Sequence, residues 1–242
     1  MDTYYIDVPY RVKLYDVDLN KNLTPASFFR ILQETAGEHH VATRNTSILD
    51  SYLQGYSWIL VRAKYRFSRL PRYQESITIR TWLSDIQRIK AIREYQVFDK
   101  SGQLIGSAKK LWAFFSVEKL RPAAIPEEVF KGWPTHSSTT LEFARNFSTD
   151  LEDIDYQVQL RVRRSDLDYN QHVNNIFYVQ WVREVLPVEM ENNGVIEMES
   201  KFLAESKFGH VLTVKRSKIA ADGTFKYEIF NETTQKKVFS HG

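Results

Sequence analysis

Arg11-Val-Lys-Leu-Tyr-Asp-Val-Asp-Leu-Asn-Lys-Asn22 and Arg161-Val-Arg-Arg-Ser-Asp-Leu-Asp-Tyr-Asn-Gln-His172 lie over one another without a gap at an offset of 150 residues. Five of the twelve positions are identical: Arg11/Arg161, Val12/Val162, Asp16/Asp166, Asp18/Asp168 and Asn20/Asn170. Composition alone predicts about one match in such a window. A self-match at fixed offset marks a duplicated structural unit, and the whole fold is read from it.

The same order of elements follows each copy. After the first, Thr24 can cap a helix with Pro25 at its first position, where the missing amide costs nothing. Phe28, Ile31/Leu32 and Thr35/Ala36 then form an apolar stripe at helical spacing. After the second, Asn174 or Asn175 can cap a helix with the stripe Tyr178, Trp181/Val182, Val185, stopped by Pro187. Sheet follows each helix. In Ile59–Phe67 the odd positions Ile59, Val61, Ala63, Tyr65 and Phe67 are apolar while Arg62, Lys64 and Arg66 face away, a period of two. Ser76 to Leu83 alternates likewise, and Ala91 to Phe98 and Leu104 to Val117 flank the turn Asp99-Lys-Ser-Gly102. The second half answers with Val211 to Ile219, Ala221-Asp-Gly223 and Phe225 to Phe230. Breakers and short polar residues from Arg121 to Pro134 and Ser137 to Thr140 read as a connection. The fold class is therefore α+β, two tandem hot-dog domains, each a long helix wrapped by an antiparallel β-sheet. The expected divisions are residues 1–135, a linker at 136–150, and residues 151–242.

With 43% hydrophobic and 14% aromatic residues among 242, the chain can bury a substantial core. Its 33 basic and 30 acidic residues make a mildly basic surface, not a polycation. There is no cysteine, which excludes disulfides, thiolate metal sites and a cysteine nucleophile. The start lacks the basic flank and apolar stretch of a signal peptide, and no run of 18 apolar residues could span a bilayer. The expected compartment is the cytoplasm, without membrane insertion.

Asp166-Leu-Asp168-Tyr-Asn170-Gln-His172-Val-Asn174-Asn175 gathers two carboxylates, carboxamides and an imidazole directly before a helix. The backbone amides of Val173 and Asn174 at its start are candidates to stabilise an oxyanion, and His172 can move a proton. Asp and Asn also crowd wherever chains turn. The duplication separates the two readings, because a purely architectural turn should look alike in both copies. It does not: His172 is matched by Asn22 and Asn174 by Thr24, whereas Asp168 and Asn170 keep their counterparts.

Arg164-Ser-Asp-Leu-Asp-Tyr-Asn-Gln-His-Val-Asn-Asn175, with Trp181 and Glu184, closely resembles the signature of the acyl-acyl carrier protein thioesterases. Leu32-Gln-Glu-Thr-Ala36, Trp58-Ile-Leu-Val-Arg62, Thr81-Trp82, and Leu120-Arg121 followed by Pro126-Glu-Glu-Val129 resemble it too. The resemblance implies hydrolysis of fatty acyl thioesters on acyl carrier protein, releasing fatty acid and ending chain elongation. It implies the catalytic set Asp168, Asn170, His172 and Glu205, with no cofactor. Where the family often has cysteine after the glutamate, this chain has Ser206. The implied mechanism gives Glu205 the attacking water, Asn170 and the helix-terminal amides the oxyanion, and His172 the proton, with Asp168 supporting or itself attacking. The first unit would supply an acyl pocket at Phe28, Phe29 and Leu32. An acyl-coenzyme A thioesterase and a non-catalytic acyl-binding module are the alternatives.

Three further groupings carry less. His39 and His40 fall on different faces of a helix and lack metal-site spacing, so no metal is expected. Lys64, Arg66, Arg69 and Arg72 fit a solvated sheet face better than nucleic acid, and could steer the acidic carrier and the phosphate of its pantetheine arm. Two fused repeats can satisfy sheet edges within one chain, and a homodimer stays open.

Overall fold

Thr24 follows the first copy of the motif, and a helix starts there. In the computed structural model, which describes residues 4–44, 55–131, 133–146, 148, 150–187 and 196–241, α1 runs over Pro25–Arg44. The Ser27 amide donates to Thr24 Oγ1 at 3.2 Å, satisfying one of the amides a helix start leaves without a partner. The stripe is inside: Phe28, Ile31, Leu32 and Thr35 are all buried.

The chain divides into units spanning Met1–Glu142 and Phe143–Gly242. The first contains β1 (Tyr5–Arg11), β2 (Tyr56–Phe67), β3 (Ser76–Gln87), β4 (Lys90–Asp99) and β5 (Leu104–Ser116), with a two-residue β6 (Arg121–Pro122) and a one-turn α2 (Glu127–Phe130). Its strands are ordered β1-β3-β4-β5-β2, each antiparallel to its neighbour. The second contains β7 (Ile154–Arg161), α3 (Asn175–Trp181), β8 (Glu197–Phe202), β9 (Val211–Ser217), β10 (Tyr227–Asn231) and β11 (Lys236–His241). Its order β7-β9-β10-β11-β8 repeats the first. Two units with one strand order, each with a helix directly after its copy of the motif, bear out the duplication.

α1 lays its apolar face on the sheet of its own unit. Phe28 meets Tyr65 and Phe67 edge-on, with ring centroids 5.6 and 4.7 Å apart, and Phe29 meets Tyr65 at 6.1 Å. Gly106 sits opposite Phe67 in β5 because a Cβ there would come within 2.3 Å of that ring. The turn Asp99–Gly102 forms as its residues require: Asp99 Oδ1 accepts from the Ser101 amide at 2.9 Å, and Gly102 takes φ +85.

Three features differ from the sequence reading. The alternation of β2 holds at Ala63, Tyr65 and Phe67 but breaks at a bulge between Leu60 and Arg62, which buries Leu60 instead of Val61. The second helix is short: α3 has seven residues and continues as a 3-10 turn, Val182–Val185, before Pro187. Its stripe is buried as expected, with Tyr178 stacked on Phe239 at 5.7 Å. The stretch 138–141 is bonded to the first unit. Glu94, fully buried, accepts from the Thr140 amide at 3.1 Å and from Thr140 Oγ1 at 2.7 Å, and Lys109 Nζ donates to Leu141 O at 3.1 Å. No helix among the described residues is long and apolar enough to cross a membrane.

Candidate active site

Asp168 organises the loop that carries His172. Its Oδ1 accepts from the Asn170 amide at 2.8 Å and the His172 amide at 3.4 Å, while its own amide donates to His172 O at 2.9 Å. Gln171 turns the chain at φ 63, and its amide donates to Asp168 O. The first copy builds the same loop: Asp18 Oδ1 accepts from the Asn20 and Asn22 amides, each at 2.9 Å, and Lys21 has φ 65. Those bonds of Asp168 are thus architecture common to both units. The imidazole borne on the loop is not.

A second segment is clamped against this loop in each unit by equivalent backbone bonds. The Val173 amide donates to Ser206 O at 2.9 Å, as Leu23 donates to Pro71 O at 2.8 Å; Val162 donates to His210 O as Val12 donates to Glu75 O. The frame pairs Ser206 with Pro71, and hence Glu205 with Leu70. It brings His172 Nε2 to 3.3 Å from Glu205 Oε2 across 33 residues of sequence, both side chains open to solvent at 27% and 52% exposure. The first unit has Asn22 and Leu70 at these positions, so both members of the acid–imidazole pair are confined to the second.

The expectation for Val173 and Asn174 is corrected by the same bonds. The Val173 amide is spent on Ser206 O and the Asn174 amide on Asp166 O, both at 2.9 Å, so neither faces a reacting carbonyl. Asn174 instead caps α3, its Oδ1 accepting from the Ile176 amide at 3.1 Å. The polar groups left over are side chains. The buried Oδ1 atoms of Asn170 and Asn175 and the Tyr178 hydroxyl have no hydrogen-bond partner among the described residues. Tyr178 belongs only to the apolar stripe in a sequence reading, yet Ser206, Glu205 and Asp168 all act on its hydroxyl. Burial raises its pKa first, the Ser206 contact lowers it, and the two carboxylates raise it further, so the phenol keeps its proton.

Ser206 is fully buried, and its hydroxyl accepts from Asn231 Nδ2 at 3.1 Å. Asn231 also reaches His210 Nδ1 at 2.9 Å and accepts from the Thr233 and Thr234 amides through Oδ1. It is a hub that holds the segment bearing Glu205. No sequence signal marks it, because Ser206 and His210, the partners that matter here, lie more than twenty residues away along the chain.

Elsewhere, Phe28, Phe29 and Leu32 pack into the core of the first unit. A cavity of about 610 Å³ in that unit is lined by Asp7, Tyr10, Arg11, Ile77, Arg80 and Phe98 among others, not by those three. Arg69 is held between Glu75, at 2.7 Å, and Asp99, at 3.0 Å, so its charge is already paired within the unit. His39 is buried and paired with Arg93, and no group of three or more metal-ligating side chains stands together among the described residues.

The acyl-ACP thioesterase N-terminal domain model matches residues 4–133, and the corresponding C-terminal domain model matches residues 149–241. The chain belongs to the acyl-ACP thioesterase family. It is 26% identical over 197 residues to the chloroplastic oleoyl-acyl carrier protein thioesterase of Coriandrum sativum, covering 74% of this chain and 53% of that one. The chain thus spans about half the length of the curated relatives it matches. Among solved structures, an acyl-ACP thioesterase from Bacteroides thetaiotaomicron superposes with TM-score 0.86 at 23% identity, covering 98% of this chain and 96% of that one. A 12:0-ACP thioesterase from Umbellularia californica superposes with TM-score 0.84 at 19% identity, covering 100% and 96%. At these identities the structures speak to the fold, which is that of the family.

Proposed function

We propose that the protein hydrolyses the thioester of fatty acyl-acyl carrier protein in the cytoplasm, releasing free fatty acid and ending elongation. The observation that carries this is the His172–Glu205 contact at 3.3 Å, present in one unit and replaced by Asn22 and Leu70 in the other, inside a chain of this family. Glu205 takes a proton from water as the oxygen adds to the thioester carbonyl. His172 orients the carboxylate and relays the proton that Glu205 takes from water to the departing pantetheine sulfur. Asn170 and the protonated Tyr178 hydroxyl are the donors proposed for the oxyanion, in place of the engaged amides of Val173 and Asn174. Asp168 holds the loop and adds negative charge near the site. The acyl chain lies along the buried face of α1 in the first unit, beside Phe28, Phe29 and Leu32.

Ser206 is a poor nucleophile here: it is buried, and no imidazole or carboxylate is bonded to it among the described residues. Glu205→Ala and His172→Ala are each expected to lower kcat by about a hundredfold or more. The check is a panel of matched acyl chains on carrier protein and on coenzyme A, assayed with both variants. Equal turnover by wild type and both variants overturns the mechanism. A preference for the coenzyme A series overturns the carrier assignment.

A further inference from the structure

β1 and β7 hold the same place in their units, each the outer strand of its sheet and each paired on one side only among the described residues. Val12 shows which way the backbone of β1 points: its amide donates to Glu75 O and its carbonyl accepts from the Gln74 amide, both at 2.9 Å. Val162 does the same for β7, donating to His210 O at 2.9 Å and accepting from the Gly209 amide at 3.0 Å. Backbone groups alternate from side to side along an antiparallel strand. Asp7, Pro9 and Arg11 in the first unit, and Gln157, Gln159 and Arg161 in the second, therefore turn theirs away from the sheet. The two outward rows differ at one decisive position. Pro9 has no amide to donate, which blunts β1 against addition of a further strand, whereas Gln159 at the equivalent place keeps its amide.

No proline or bulge interrupts β7 between Tyr156 and Arg161, where its pairing with β9 is regular. Gln157 and Gln159 are exposed, and neither side chain has a hydrogen-bond partner among the described residues. Tyr156, Val158 and Leu160 share the opposite face, and Tyr156 is 50% exposed. The strand is also polar from end to end. Glu152, Asp153 and Asp155 stand at its start and Arg161 at its close. Asp155 is held by Arg216, and Arg161 Nε donates to Gly209 O at 3.2 Å, so both charges are fixed in place.

We infer that β7 is the docking edge for a second copy of this chain, the two β7 strands pairing antiparallel about a two-fold axis at Val158. In that register Val158 meets its own copy, Tyr156 meets the partner's Leu160, and Gln157 meets the partner's Gln159. Apolar side chains then oppose apolar ones on one face and carboxamides oppose carboxamides on the other, while the Gln157 and Gln159 backbones exchange both bonds of a close pair. The antiparallel sense lays the acidic start of each strand beside the basic end of the other, with Asp155 toward the partner's Arg161. A parallel pair would set like charges together. The inference stands on the sheet edge and does not depend on the thioesterase reading.

One strand pair covers less surface than a standard interface, so the dimer is a weak one, with Kd on the order of 10 µM. Sedimentation equilibrium of the full chain over about 1–300 µM should therefore show exchange between monomer and dimer. Gln159→Pro transfers the blunting residue of β1 to β7 and is expected to weaken association by about tenfold or more, with an unchanged circular dichroism spectrum. Two double variants at exposed side chains decide the matter if the proline variant does not fold. Gln157→Lys with Gln159→Lys puts like charges opposite one another and should give a monomer, whereas Gln157→Lys with Gln159→Glu puts opposite charges there and should keep the dimer. A wild-type chain that stays monomeric throughout the range overturns the proposal. So does a dimer that a folded Gln159→Pro protein retains at full strength, and so do two double variants that behave alike.

Discussion

Asp168 shows why a shared side chain is hard to interpret. Its bonds to the Asn170 and His172 amides are repeated by Asp18 in a unit without the imidazole. Asn keeps an acceptor at Oδ1 and removes only the charge. Asp168→Asn should therefore leave the unfolding free energy within about 1 kcal/mol of wild type while lowering kcat by about a hundredfold if the charge serves chemistry. Asp18→Asn, its control, should change neither. Equal kinetic effects in the two variants would assign both aspartates to architecture. Ser206→Ala should retain most of wild-type kcat and lose about 1 kcal/mol of stability, since Asn231 Nδ2 keeps its bond to His210. A folded but inactive Ser206→Ala protein would restore serine as the nucleophile.

At the scale of elements, local rules place helices and strands, but register and bulges decide which side chains face inward. Thr24, Pro25 and the stripe of α1 follow from capping and periodicity alone. The inward turn of Leu60 does not, because the bulge in β2 arises from pairing with β5, more than forty residues away. That pairing also explains Gly106. A methyl group there must displace the Phe67 ring, which is wedged against Phe28. Gly106→Ala is expected to cost about 1–3 kcal/mol in chemical denaturation, and a neutral result would mean that the ring has room to move. The second helix illustrates the converse. Proline at 187 was legible as a stop, but the loss of a helical turn to 3-10 geometry after Trp181 was not.

For the molecule as a whole, charge burial in the first unit predicts how stability depends on pH. His39, held near pKa 3 against an ordinary 6.5, binds a proton in the unfolded chain but not in the folded one between those values. Stability should fall as pH drops from about 6.5 toward 3, and His39→Gln should flatten that slope in melting curves. Lys110 is lowered from 10.5 to about 7, chiefly by burial and then by Arg93. Its penalty is full below pH 7 and fades as pH rises toward 10.5, so stability should climb over that interval. Lys110→Met should remove the climb; an unchanged profile would mean that the ammonium is not desolvated in solution.

The order of residues by itself determined the duplication, the turn and cap that begin each helix, the alternating strands, and the asymmetry between His172 and Asn22. Each of these is written in neighbours a few positions apart, where backbone sterics and side-chain period act directly. Only the tertiary structure decided that Glu205 meets His172, that the Val173 and Asn174 amides are already engaged, that Asn231 clamps Ser206, and that Arg93 faces Lys110. Those contacts join stretches distant along the chain. They depend on strand register and on competition for hydrogen-bond partners, neither of which a local pattern encodes.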